Sequence, residues 1–129
     1  METPAIFYDE RRDKWVLLDE FTHTEPGFRL RVPRGFLFDL ASVPRPLWAI
    51  IAPHELSVRA ALVHDHLYRN AGLIIPGDAH PGEIIRRFTR FDADILFLRM
   101  MREDGVPLWR RSLAFLAVRI GGRGAWRGI

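Results

Sequence analysis

A chain of 129 residues with 48% hydrophobic and 27% charged side chains has the proportions of one ordinary globular domain, not of a disordered tail. Nine Phe and four Trp furnish a core, and the absence of cysteine excludes disulfides, thiolate metal ligands and a cysteine nucleophile. The net charge of +3 is carried by arginine, since every basic residue but Lys14 is Arg; acids crowd the first 25 residues, and arginines dominate from Arg99 onward. Met1-Glu2-Thr3-Pro4 has neither the basic nor the apolar region of a signal peptide, and no run approaches the roughly 18 apolar residues of a spanning helix. The expected place of synthesis is the cytoplasm.

The first forty residues carry strand signals. Ala5–Tyr8 and Trp15–Leu18 flank the polar cluster Asp9–Asp13, which predicts a hairpin around a charged turn. Glu25-Pro26-Gly27 is a turn signal, and Phe28–Val32 alternates apolar and basic residues with strand period. Pro33-Arg34-Gly35 breaks that run, and Phe36–Phe38 is a short strand ending at Asp39.

From residue 41 the signals turn helical. Ser42–Trp48 is a proline-stiffened connection in which a short helix can begin at Pro46. A first clear helix is predicted from Glu55 to about Asn70, stopped by Ala71-Gly72, and a Gly- and Pro-containing loop covers Pro76 to Gly82. A second runs from Phe91 to Arg102, and a third from Leu108 to Ile120, opened by Pro107 and closed by Gly121-Gly122. Residues 123–129 form an Arg/Gly tail without periodicity. No repeat or linker divides the chain, so the reading is a single α+β domain: a small N-terminal antiparallel sheet within residues 1–40, then about three packed helices within 41–122.

The chemistry gathers around His64-Asp65-His66-Leu67-Tyr68 in the first helix. At 100° per residue His64 shares a face with Ala60, Ala61, Leu67 and Tyr68, and Asp65 lies beside it. Burying a His and an Asp costs desolvation unless something satisfies them. In the second helix Phe91, Asp94, Ile95, Leu98 and Met101 recur at helical spacing, which sets Asp94 in an apolar stripe. If the two helices run antiparallel, Asp94 meets His64 or Tyr68, fixes the imidazole tautomer and leaves the second ring nitrogen as a general base. Asp65, pointing about 100° away from its neighbour, is better placed to bind a cation. With Asp39 at the end of its strand it supplies two oxygens for a hard divalent ion.

The same residues support a reading without chemistry. His64, Asp65, Asp39, Asp94 and Arg45 form, on that view, a buried polar network that locks helices to sheet. Ser42 lacks the Gly-flanked elbow of a hydrolase nucleophile, and His23, His54, His66 and His80 read as surface residues. Arg110, Arg111 and Arg119, with Trp109 and Trp126, offer a surface for a protein partner or an anionic bilayer, or simply a solvated helix face. Nucleic-acid binding ranks last, because no aromatic-and-basic ladder accompanies the arginines.

Gly35–Arg45, Leu47-Trp48, Ala60–Tyr68 and Ala93-Asp94, followed by Gly105-Val106-Pro107, Trp109-Arg110-Arg111 and Ala117-Val118-Arg119, resemble a phage- and prophage-associated family of unknown function, DUF1353, over roughly residues 28 to 122. The resemblance implies a phage or prophage origin and brings no activity with it. More loosely, His64-Asp65-x-x-Tyr68 with Asp94 is similar to the core of secreted and parvoviral phospholipases A2. That similarity implies His64 as the base, Asp65 as a calcium ligand, Asp94 as the acid that orients His64, and Tyr68 as its hydrogen-bond partner. The glycine-rich calcium loop and the helix-linking disulfides of those enzymes are absent here, and Asp39 is the candidate replacement ligand. Two functions are expected from this: a small metal-assisted hydrolase acting on a membrane or envelope surface, or a non-catalytic virion component or assembly factor at the tail or head–tail junction that binds other phage structural proteins. The expected location is the bacterial host cytoplasm during production, and the virion thereafter.

Overall fold

The computed structural model describes residues 4–25, 28–38, 57–74 and 86–126. Strand β1 (Ile6–Asp9) pairs antiparallel with β2 (Lys14–Leu17), Ile6 opposite Leu17 and Asp9 opposite Lys14, around the charged turn expected from the sequence. Asp13 holds that turn in a left-handed conformation at φ 53° and accepts a hydrogen bond from the Tyr8 hydroxyl, while Asp9 Oδ1 accepts from the Arg11 amide. Strand β5 (Leu37–Phe38) joins the other edge of β2, so the order is β1-β2-β5.

The sheet predicted as one is divided. Strands β3 (Phe21–Glu25) and β4 (Phe28–Val32) form a separate hairpin in which Phe21 and His23 on one strand, Leu30 and Val32 on the other, face inward. The β3 strand is not legible in the sequence because its inward alternation includes a histidine among threonines. Strands β6 (Leu73–Ile74) and β7 (Arg86–Arg87) add a two-residue ladder that no period-2 pattern announces.

Three helices follow the predicted order. Helix α1 (Val58–Arg69) starts at Ser57, whose hydroxyl accepts from the Ala60 amide as an N-cap. Nearly every residue of α1 from Arg59 to Tyr68 is buried, which makes it the central element. It ends where Ala71 (φ 59°) and Gly72 (φ 76°) turn left-handed and the Gly72 amide bonds back to Leu67. A side chain at Gly72 has no room, because its Cβ would stand 1.9 Å from the Phe88 carbonyl oxygen.

Helix α2 (Arg90–Glu103) opens on a capping box between Thr89 and Asp92, and its end turns at Gly105. Helix α3 (Leu108–Gly121) opens at Pro107 and runs into a 3₁₀ turn, Gly122–Ala125, where the sequence suggests only an aperiodic tail. Helix α2 packs against both α1 and α3, antiparallel to each: Arg59 near the start of α1 meets Asp104 just past the end of α2, and Arg90 at the start of α2 meets Val118 and Arg119 near the end of α3. The architecture is therefore α+β, with two small antiparallel sheets first and the helices after them, the β6–β7 ladder falling between α1 and α2 in the chain. Among the described residues no helix is long and apolar enough to cross a membrane.

The buried face of α2 differs from the predicted stripe. Ala93, Asp94, Leu96, Phe97, Met100 and Met101 are inward, whereas Phe91 and Ile95 are exposed. The expected phase follows only one seam of contact. Lying between two helices, α2 must bury a wider arc, and that arc is centred nearer Phe97.

Candidate active site

Asp94 is fully buried in the second turn of α2, and both oxygens of its carboxylate are engaged. Oδ1 accepts from His64 Nε2 at 2.7 Å and from the Tyr68 hydroxyl at 2.6 Å. Oδ2 accepts from Arg119 Nη1 at 2.8 Å, with Arg90 Nη1 3.7 Å away. The antiparallel packing of α1 on α2 places His64 and Tyr68, one turn apart on α1, over the same carboxylate oxygen. This is the meeting expected from the sequence.

Burial by itself would raise the Asp94 pKa, but the bonds from His64, Tyr68 and Arg119 outweigh it and hold the carboxyl below the usual aspartate value. An ionised carboxylate only accepts, so His64 carries its proton on Nε2. Its Nδ1 is the ring nitrogen turned away from that carboxylate. The imidazole lies between Tyr68, with ring centroids 4.3 Å apart, and Phe97, at 4.5 Å, and cannot easily turn. Burial, and then the neighbouring Asp94 carboxylate, drive the Tyr68 hydroxyl well above the usual phenol pKa, so it stays a donor.

Arg90 and Arg119 play different parts. Arg90 donates to the Val118 and Arg119 carbonyls and to the Tyr68 hydroxyl, closing the end of α3 with a cation where the helix dipole is negative. Arg119, expected as a surface cation of the third helix, is partly exposed, and α3 crosses α2 so that its guanidinium also reaches the buried Asp94 charge. Trp126, expected as an exposed partner-binding residue, packs edge-on against Tyr68 at 5.1 Å and is half-buried. Trp109 is exposed, with the Arg110 guanidinium over its ring at 5.0 Å, and Arg111 donates to the Val106 carbonyl at 3.0 Å. These three stand apart from the Asp94 cluster in the hydrogen-bond pattern.

Asp65 is 5% exposed and engaged in interactions of its own. Asp39, Ser42 and Arg45 lie outside the described residues, as do His54 and His80. Among the described residues no three His, Asp or Glu side chains converge as metal ligands.

Two histidines that read as surface residues are not. His66 is largely covered, its ring 5.3 Å from that of Phe36, and its buried Nδ1 has no hydrogen-bond partner among the described residues. His23 is buried in a second polar cluster that sequence reasoning misses. Its Nδ1 meets Arg59 Nη1 at 3.3 Å and its Nε2 meets Glu25. Arg59, only 7% exposed, also bonds Asp104 at 2.9 Å and Glu103 at 3.4 Å, and Ser57 donates to Asp104. The available signal is Arg59 itself, a cation directly before the apolar run Ala60–Val63.

A family model described as "Protein of unknown function (DUF1353)" matches residues 15–118. A protein of Sinorhizobium fredii (strain NBRC 101917 / NGR234), described as uncharacterized protein y4jT, is 28% identical over 110 residues, which are 83% of this chain. The matched region spans only 28% of that relative's length. No solved structure matches.

Proposed function

The chain belongs to the DUF1353 family, and within it we propose that this domain is a small phage- or prophage-encoded hydrolase in which His64 activates water and Asp94 orients it. One observation carries the reading: the 2.7 Å bond from His64 Nε2 to a carboxylate kept ionised by its surroundings. Such a bond fixes the tautomer and stabilises the imidazolium that forms when Nδ1 takes a proton from water. Tyr68 holds the same oxygen and so fixes the carboxylate. The order of His64, Asp65, Tyr68 and Asp94 supports a phospholipase-like reaction on an ester. In this reading Asp65 supplies a carboxylate to a divalent cation, calcium by its oxygen chemistry, with Asp39 as the second acid.

Ester hydrolysis tests it directly. The purified chain, with and without millimolar calcium, is assayed on fluorogenic phospholipid and simple acyl esters beside His64→Asn and Asp94→Asn. Turnover that both substitutions abolish supports the proposal, and no turnover on any ester in any ion sinks it.

A second reading has its own observation. His64 and Asp94 are 1% and 0% exposed, and the carboxylate is saturated by protein donors, as in a structural lock. On this reading the domain is a non-catalytic virion component or assembly factor. A marked loss of thermal stability in His64→Gln, with no ester turnover in the wild type, would favour it.

A further inference from the structure

Among the described residues the Asp94 cluster contains more positive than negative charge: one carboxylate faces two guanidiniums, while Tyr68 is neutral. Arg90 spends its donors on two carbonyls and the Tyr68 hydroxyl and is 20% exposed. The surplus therefore rests on Arg119, the most exposed donor of the cluster at 31%. A guanidinium has five N–H donors in a planar fork. Arg119 uses one of them on Asp94, and among the described residues its side chain makes no other hydrogen bond. It is also held in place, its guanidinium carbon 5.2 Å from the centre of the Phe91 ring.

Phe91 is 53% exposed, and Ile95, one turn further along α2, is 41% exposed. A half-used cation thus borders an apolar strip that the core does not claim. We infer that Arg119, Phe91 and Ile95 form the recognition edge for an anionic amphiphile, its phosphodiester oxygens forked onto Arg119 and its chains lying on Phe91 and Ile95. Charge complementarity selects this occupant over a neutral apolar one, because a neutral ligand would desolvate the guanidinium donors that Asp94 does not use and give them no acceptor. The inference rests on the proposed hydrolytic site for its purpose, since it names that site's substrate class, but binding stands or falls without turnover.

The test is a fluorescence or calorimetric titration of the full chain with a short ether-linked phosphatidylglycerol, which no esterase cleaves. Its ether-linked phosphatidylcholine counterpart and inorganic phosphate are run in parallel. Phosphatidylglycerol is expected to bind best, and Arg119→Gln to weaken it roughly tenfold to a hundredfold, the loss of a charge-assisted contact. Phe91→Ala, a surface change that leaves the core intact, is expected to weaken it as well. Equal binding of the two lipids, or unchanged affinity in both variants, overturns the inference. So does inorganic phosphate binding as tightly as the lipid, which would assign Arg119 to a free anion. Esterase activity in a protein that fails this titration would leave the hydrolytic reading standing alone, and lipid binding without esterase activity would do the reverse.

Discussion

Gly122 lies directly against the Tyr68 hydroxyl: a Cβ at Gly122 would stand 2.8 Å from that oxygen and 3.0 Å from the ring edge. The backbone at Gly122 has an ordinary helical conformation, with φ −81°, so the requirement for glycine is space alone. The residue that follows α3 thereby sets how closely Tyr68 sits over Asp94. Gly122→Ala is expected to push the phenol aside and cost about 1–3 kcal/mol of stability, as overpacking does. Urea unfolding of the single and double variants checks it: the cost should shrink when Tyr68→Phe removes the nearest clashing atom. An additive pair would separate Gly122 from Tyr68 altogether.

The buried Asp94 charge answers to donors on all sides, so replacing its carboxylate leaves them unmet. Asp94→Asn presents one acceptor oxygen and turns an amide N–H₂ toward either a guanidinium or the His64–Tyr68 pair. The expected loss is about 3–5 kcal/mol, as for one partner of a buried ion pair. The pH dependence has a definite sign. The folded carboxyl has a pKa below its unfolded value, so its contribution is whole above the unfolded value and is lost as pH falls through the folded one. Thermal melts from pH 7 downward should therefore fall more steeply below pH ~4 in the wild type than in Asp94→Asn. Parallel curves would show that the carboxylate carries no linked proton.

Arg59 ties three elements together, bonding His23 on β3 and Glu103 and Asp104 at the end of α2 from its place in α1. Removing it strands the Asp104 carboxylate, whose lowered pKa depends on that bond and on Ser57 against the opposing effect of burial. Arg59→Ala is expected to destabilise by about 3 kcal/mol, and Asp104→Ala by a similar amount. In a double-mutant cycle the second substitution should cost little once the first is made. Full additivity would show that the pair does not interact.

These two clusters show what the sequence could and could not reveal. His64 and Asp94 are legible because polar residues at helical spacing inside apolar faces demand a partner, and each supplies the other. The phase of α2 is not, because Phe91 and Ile95 extend the same hydrophobic period into solvent, and periodicity does not say which side of an apolar helix is covered. Arg119 is hidden for a related reason. A lone arginine on an amphipathic helix looks solvated until an antiparallel neighbour brings a buried carboxylate within 2.8 Å. The Arg59 cluster spans 45 residues of sequence between its main partners, and nothing local to either end records the pairing. His23 is masked by its setting among threonines, where period-2 inwardness has no apolar signature.

His66 differs from both clusters because its buried Nδ1 has no hydrogen-bond partner among the described residues. Burial, with the nearby Arg69 cation acting in the same direction, lowers its pKa from 6.5 to about 4. The fold thus favours the neutral ring, while the unfolded chain binds the proton more readily. Stability attributable to His66 is whole above pH ~6.5, declines as pH falls toward about 4, and levels off below that. The full span is about 3 kcal/mol, at about 1.4 kcal/mol for each tenfold change in proton affinity. This window lies above the one in which Asp94, Asp104 and Glu25 titrate, so the two are separable. His66→Leu keeps an apolar contact with Phe36 and removes the titrating group. Its melting temperature should stay nearly flat from pH 6.5 to 4.5, where the wild type falls. Equal slopes in that interval would mean that His66 gains a proton as easily folded as unfolded, and that water reaches its ring.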